Sequence, residues 1–277
     1  MMIKRFIFAA AFFLLPFTVL AWDQKPNMPI QACAAQMPWG VPQLNKPNTL
    51  IECHTAYAVQ HDEVAKIPDW VAYTLTPPHA IGCVPRSNAF AADNILPKGQ
   101  RSEVKDYAGS GYDQGHLAND ADMSWDQQVE LESFLMSNMS PQTPATNRGI
   151  WKVLETYVRA WAYGNNTAYT VYAGNIYGAN SKTIGDDHVV VPDYLYKIVI
   201  NDTTNEVQAY AFPNSTANQG NDISKFLTSV AVIEQNTGIS FPVPQGTDKS
   251  AKAAAPWPVD LKKTADAKKA ACGNSAE

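Results

Sequence analysis

Tyr112-Asp113-Gln114-Gly115-His116-Leu117-Ala118-Asn119 is followed by Ser137-Asn138-Met139-Ser140-Pro141-Gln142 and then by Asn147-Arg148-Gly149-Ile150-Trp151-Lys152-Val153-Leu154-Glu155. His116 follows a glycine that lets the backbone turn tightly and approach a bound molecule, and an imidazole takes up a proton near its unperturbed pKa of ~6.5. Ser137 to Ser140 reads as a strand. Asn147 reads as the N-terminal residue of a helix that runs to about Tyr163 and stops at the turn signal Gly164-Asn165-Asn166. Glu155 and Arg159 are spaced i, i+4 on that helix and share a face. The amide oxygen of Asn147 suits a hard cation such as Mg²⁺, which keeps several of its waters and needs few protein ligands. Helix N-termini favour anions, so a phosphate and its cation are expected there. A base, a cation and a means of stabilising the departing oxygen are what phosphodiester hydrolysis requires.

Upstream, alternating apolar residues at Tyr57 to Gln60 and Trp70 to Leu75 predict two strands joined by the polar turn His61 to Asp69. A loop from Thr76 to Gly111 then carries Arg86 toward His116, and Gln127 to Met136 predicts a short helix. Downstream, strands are expected at Tyr169 to Ala173, Tyr194 to Ile200 and Glu206 to Phe212, followed by a helix from about Ile223 to Gln235. Strands and helices interleave without a regular βαβ rhythm, which argues for an α+β fold.

With these residues in this order, the chain resembles the DNA/RNA non-specific endonucleases, a family that spans secreted Serratia-type and mitochondrial endonuclease G-like nucleases. The likeness runs from about Cys33 to Phe241. It includes Trp70-Val71-Ala72-Tyr73, Arg86-Ser87-Asn88-Ala89-Phe90 with Asp93, Asp106-Tyr107-Ala108-Gly109-Ser110-Gly111, Val191-Pro192-Asp193 with Tyr196-Lys197, and Ile233-Glu234 with Thr237-Gly238-Ile239. The resemblance implies a ββα-metal nuclease core on a mixed, mainly antiparallel sheet flanked by helices. It implies that His116 is the general base, Asn147 the direct metal ligand and Glu155 the holder of metal-bound waters. Arg86 and Arg159 match arginines that contact the phosphate, and Asn138 matches an asparagine that shapes the site beside the histidine. The cofactor implied is Mg²⁺, with Mn²⁺ as an alternative. The partners implied are DNA and RNA, read through their backbone, and relatives are often homodimers.

One residue departs from the family pattern. Gln114 stands where the family usually carries an arginine; it can donate a hydrogen bond to a phosphate oxygen but brings no charge and no planar fork. Arg148 and Lys152 are further candidates to approach the phosphate from the helix. The leading expectation is a metal-dependent endonuclease cutting DNA and RNA. The competing one, kept alive by Gln114, is a nucleic-acid-binding protein of the same fold with weakened catalysis.

Lys4 and Arg5 precede an apolar run from Phe6 to Leu20 that ends at Val19-Leu20-Ala21, the pattern of a cleaved export signal over residues 1–21. The expected product is periplasmic or secreted, with a nuclease domain over residues 22–242 and an Ala/Lys-rich tail over 243–277. Loss of Lys4 and Arg5 leaves 19 basic residues against 26 acidic ones, so non-specific binding to a polyanion must come from a local cleft rather than the whole surface. The four cysteines, Cys33, Cys53, Cys83 and Cys272, form an even set in an exported chain and predict disulfides; three pairings are open, with Cys33–Cys53 and Cys83–Cys272 favoured. The tail, with Lys262-Lys263 and Lys268-Lys269, reads as a solvated, partly helical extension in preference to a nucleic-acid-holding arm. His54, His61, His79 and His188 read as surface or turn residues, and Asp186-Asp187-His188 as a loop rather than a metal cluster. Asp120 and Asp122 read as caps of the next helix, and Asp113 as a support for its local backbone.

Overall fold

In the computed structural model, residues 24–273 are described; the expected leader lies outside them. The β-branched and aromatic residues between positions 49 and 75 build a meander of β1 (Thr49–Cys53), β2 (Ala58–Asp62) and β3 (Ile67–Leu75), all antiparallel. The turn is shorter than expected, because Asp62 Oδ1 accepts the N–H groups of Val64 and Ala65 at 2.8 and 3.0 Å and closes it in four residues. After a long loop come the single-turn α1 (Val104–Tyr107), β4 (Asp113–His116), α2 (Asp120–Met123), α3 (Gln127–Ser133) and β5 (Met139–Gln142). A π-helical turn over Thr146–Trp151 leads into α4 (Lys152–Gly164).

The chain then forms β6 (Tyr169–Ile176), the short ribbon β7 (Thr183–Ile184) with β8 (Val189–Val190), β9 (Tyr194–Asn201), β10 (Val207–Pro213) and β11 (Leu227–Thr228). The helix expected over 223–235 is broken. A 3₁₀ turn at Ile223–Phe226 and β11 precede α5 (Val230–Thr237), which starts where Ser229 Oγ accepts the Val232 N–H and ends at Gly238 with φ +74°.

Seven strands make one sheet in the order β1-β2-β3-β6-β9-β10-β11, and every pairing between them is antiparallel; the parallel element among the described residues is a lone bridge between Ala91 and Leu135. The fold is thus α+β, as expected, with an antiparallel rather than mixed sheet. Period-two alternation sends Val71, Tyr73 and Leu75 of β3 to one face, where they pack with Leu154, Val158 and Trp161 of α4. Trp70 and Ala72 point the other way and pack with Ile233 of α5 and with Cys33 and Met37 of the N-terminal segment. Each fully buried large side chain contributes roughly 1.5–3 kcal/mol, so the first layer locks α4 to one face of the sheet and the second locks α5 and the N-terminal segment to the other.

Both disulfides pair as favoured. Cys33–Cys53 staples the N-terminal segment to β1, and Cys83–Cys272 spans 189 residues. The tail is more firmly attached than a solvated extension. Its helix α6 (Leu261–Cys272) turns Thr264, Ala267, Lys268 and Cys272, an i, i+3, i+4, i+8 stripe, toward the protein. Trp257 packs edge-on against Trp161 at 5.1 Å, and Trp161 Nε1 donates to the Trp257 carbonyl at 3.1 Å.

Candidate active site

β4 and β5 form a two-stranded ribbon in which Gly115 lies opposite Ser140 and His116 opposite Met139. The glycine is needed here: a Cβ would fall 2.1 Å from Cδ of Gln142, a side chain with no exposed surface into which to move. The π-helical turn and α4 follow the ribbon and complete a ββα unit. Asn147 does not cap the helix, contrary to its sequence reading. The chain is already helical at Ala145, and Thr143 Oγ1 upstream accepts the Thr146 N–H at 3.3 Å, so Asn147 sits inside the π-helical turn.

A cleft of about 920 Å³ is lined by His116, Gln114, Asn147, Arg148, Lys152, Glu155, Arg159 and Arg86, together with Asp113, Asp120 and Lys268. Eight of the nine residues expected at the site therefore meet in one cavity. The ninth, Asn138, is fully buried outside it and holds the backbone behind the histidine. Its Oδ1 accepts the Ala118 N–H at 2.8 Å, and its Nδ2 donates to the carbonyls of Ala118 and Ser133 at 2.8 and 2.7 Å. It positions the motif rather than touching the cleft.

His116 is 6% exposed, with Phe134 edge-on at 4.8 Å and Phe90 at 5.8 Å. Trp151 Nε1 donates to the His116 carbonyl at 3.1 Å. Burial, helped by the nearby Arg86 charge, lowers the imidazole to about 4, so it is neutral and able to accept a proton at physiological pH. Its Nε2 is buried without a hydrogen-bond partner among the described residues.

The aspartates do something other than the sequence reading assigned to them. Asn119, not Asp120 or Asp122, caps α2 by accepting the Ala121 N–H at 2.8 Å. Asp120 Oδ1 instead pairs with Arg86 Nη1 at 2.6 Å, and Asp122 Oδ1 with Arg159 Nη1 at 2.8 Å; Tyr73 donates to the other Asp122 oxygen at 2.7 Å. Arg86 is also fixed by Asn88, which accepts from its Nε at 2.7 Å, and by the Phe134 ring at 4.8 Å from the guanidinium carbon. Asp113 supports side chains rather than local backbone. It accepts two bonds from Arg148, at 2.8 and 2.7 Å, and one from Asn147 Nδ2 at 2.9 Å. That last bond sets the amide and leaves the Asn147 oxygen free. Gln114 has only a weak contact, Nε2 to Met136 Sδ at 3.7 Å.

Glu155 is 4% exposed and forms no ion pair among the described residues. Burial raises its carboxyl to about 7, opposed by the charges of Lys197 and Arg159. Lys197 was quoted in the sequence only as part of a matching stretch. It proves fully buried, with Nζ 4.5 Å from the Trp151 ring centroid and no hydrogen bond, and burial lowers its ammonium. Glu155, which also has Asn119 as a hydrogen-bond partner, and the Asn147 amide oxygen line the same cleft as an all-oxygen donor set, which a hard divalent cation and its waters fit.

His54 and His61 are buried, contrary to the surface reading, whereas His79 stacks on Trp125 at 3.9 Å and His188 occupies an exposed turn with φ +55°. Glu52, His54 and Asp93 bring ligand-type atoms within 4.8 Å of one another, away from the cleft. Burial raises Glu52 to about 8. Burial opposes the His54 charge, but Asp93 and Glu52 outweigh it and raise the imidazole to about 10, while Asp93 is held low by His54. With protons on Glu52 and His54 the trio carries no net charge, yet both Glu52 carboxyl oxygens and His54 Nε2 are buried without a hydrogen-bond partner among the described residues.

A buried histidine, an oxygen donor set and the clamped Arg159 on a ββα unit, with the clamped Arg86 of the preceding loop beside them, are the features of a nuclease of the ββα-metal class. The pattern of the DNA/RNA non-specific endonucleases matches residues 40–248, and the chain belongs to that family. Human mitochondrial endonuclease G is 29% identical over 217 residues, covering 73% of this chain and 71% of that one. A nuclease of Nostoc sp. is 30% identical over 231 residues, covering 79% and 82%. The structure of EndoG in its EndoG/EndoGI complex superposes with a TM-score of 0.67 at 26% identity, covering 76% of this chain and 91% of that one.

Proposed function

We propose that the chain is an exported, Mg²⁺-dependent endonuclease that hydrolyses phosphodiester bonds of DNA and RNA with little sequence specificity. The observation that carries this reading is the convergence of His116, Asn147, Glu155, Arg86 and Arg159, from separate segments, on one cleft. His116 takes a proton from the attacking water; because Nε2 is buried, Nδ1 is the nitrogen with a route to the cleft. Asn147 and Glu155 would hold the cation, with Mn²⁺ the alternative to Mg²⁺. When bound, it supplies charge neutralisation at the phosphoryl and departing oxygens. Arg86 and Arg159, aimed by Asp120 and Asp122, stabilise the same charge. Contacts of this kind read phosphate rather than base edges, which supports low sequence specificity. Export, to the periplasm or beyond the cell, is supported by the leader pattern and by two disulfides.

Supercoiled plasmid and RNA are incubated with the mature protein in Mg²⁺ or in EDTA, alongside His116→Ala. Both substrates should be cut by the wild type in Mg²⁺ alone. Cleavage that persists in EDTA, or in His116→Ala, overturns the reading.

A further inference from the structure

Two carboxylates that line the cleft are already committed, Asp113 to Arg148 and Asp120 to Arg86, and the buried Asp122 behind it holds Arg159. Lys268, from the C-terminal helix, reaches the same cleft and forms neither ion pair nor hydrogen bond among the described residues. It is half-buried, and burial together with the neighbouring Arg159 charge lowers its ammonium, with Asp120 and Asp122 acting in the opposite sense. Arg159 is balanced by Asp122, but Lys268 has no carboxylate partner among the described residues, and an unbalanced cation on a concave surface attracts an anion there.

The chain holds this arrangement covalently. Cys272 lies four residues after Lys268, one turn along the same face, and its bond to Cys83 ties α6 to the loop that also carries Arg86. On α6, Lys263 donates to the Gly164 carbonyl at 3.0 Å, Lys262 pairs with Asp266 and Lys269 is exposed, and Lys268 is the lysine of this helix that lines the cleft.

We infer that the disulfide-clamped C-terminal helix forms one wall of the nucleic-acid-binding cleft and that Lys268 contacts a substrate phosphate next to the one gripped by Arg159. This rests on the proposed nuclease reading for its substrate class. It assigns the tail a binding function and gives the Cys83–Cys272 bond a purpose beyond stability. It also supplies positive charge in a cleft where Gln114 supplies none.

The test combines turnover with binding in the full mature chain. Lys268→Gln should lower kcat/KM on duplex DNA about fivefold or more, chiefly through KM. In the His116→Ala background it should reduce the slope of log affinity against log salt by about one, the signature of one lost phosphate contact. Lys268→Arg should restore both. Cys83→Ser with Cys272→Ser should reproduce the Lys268→Gln loss, and adding Lys268→Gln to that pair should cost nothing more. An unchanged salt slope in Lys268→Gln, or full additivity with the cysteine pair, overturns the inference. If the wild type proves unable to cleave while binding in the His116→Ala background still depends on Lys268, the phosphate contact stands and the catalytic reading falls.

Discussion

Replacing Gln114 with arginine asks how much the departure from the family pattern matters. Gln114 and His116 are two apart on β4 and share a face, so a longer side chain at 114 projects into the space the base serves. Little is lost by the change, since the glutamine holds only a 3.7 Å contact to Met136 Sδ. The aspartates that line the cleft, Asp113 and Asp120, are paired with Arg148 and Arg86, which leaves the new guanidinium for the substrate. A charge-assisted hydrogen bond exceeds a neutral one by about 1–1.5 kcal/mol, and at 1.36 kcal/mol per decade this raises kcat/KM about five- to thirteenfold. The assay is steady-state cleavage of plasmid and of RNA at saturating Mg²⁺, with thermal melts of both proteins as a check on folding. Unchanged or lower kcat/KM with an unchanged melt would show that Gln114 is not at the phosphate, or that Lys268 already fills its electrostatic role.

Burial holds the Glu155 carboxyl near 7, so at lower pH a cation must displace its proton, whereas His116, near 4, stays neutral and adds no proton of its own. Apparent Mg²⁺ affinity should therefore fall about tenfold per pH unit below pH 7 and level off above it, and a flat profile from about pH 5.5 to 8 excludes Glu155 from the cation's surroundings. Gly115→Ala drives a methyl into the buried Gln142 side chain and should cost about 1–3 kcal/mol in a urea melt; a neutral result would mean the ribbon can relax. Asn138→Ala strands an N–H and two carbonyls, for a loss of about 3 kcal/mol or more. It should lower kcat more than KM, and an equal or larger change in KM would place the residue at the substrate instead.

The ribbon and helix of the site were legible because their residues are close in sequence and carry chemistry that few other arrangements need. The seven-stranded order was not: β1 carries Glu52 in its interior and is only partly buried, while β2 is buried along its whole length, so neither strand shows the alternation that would announce it. Asn147 misled as a cap because a π-helical turn and Thr143 move the helix start upstream. Asp120 and Asp122 looked like caps because helix starts and arginine clamps use the same residues; only the approach of Arg86 and Arg159 from distant segments separates the two uses. His54 and His61 looked exposed because polar residues flank them, Glu52 and Thr55 around the first and Gln60 and Asp62 around the second, and local sequence says nothing about the partners the fold brings to them.

An acidic chain that handles a polyanion must concentrate its positive charge, and the cleft shows how. It is lined by five basic residues, Arg86, Arg148, Lys152, Arg159 and Lys268, against Asp113, Asp120 and Glu155. The aspartates cancel part of the field they sit in, but each fixes a guanidinium that would otherwise sample many rotamers, so direction is gained where magnitude is given up. Glu155 is the acid left unpaired by protein, and Lys152 and Lys268 the cations left without a carboxylate, among the described residues. A phosphodiester with its cation is complementary to that remainder: the metal to the carboxylate, the phosphate oxygens to the lysines and to the outer faces of the held arginines. Weak net attraction also favours release of the cut strands, and because few phosphate contacts carry binding, log affinity should fall with log salt by a slope of only a few.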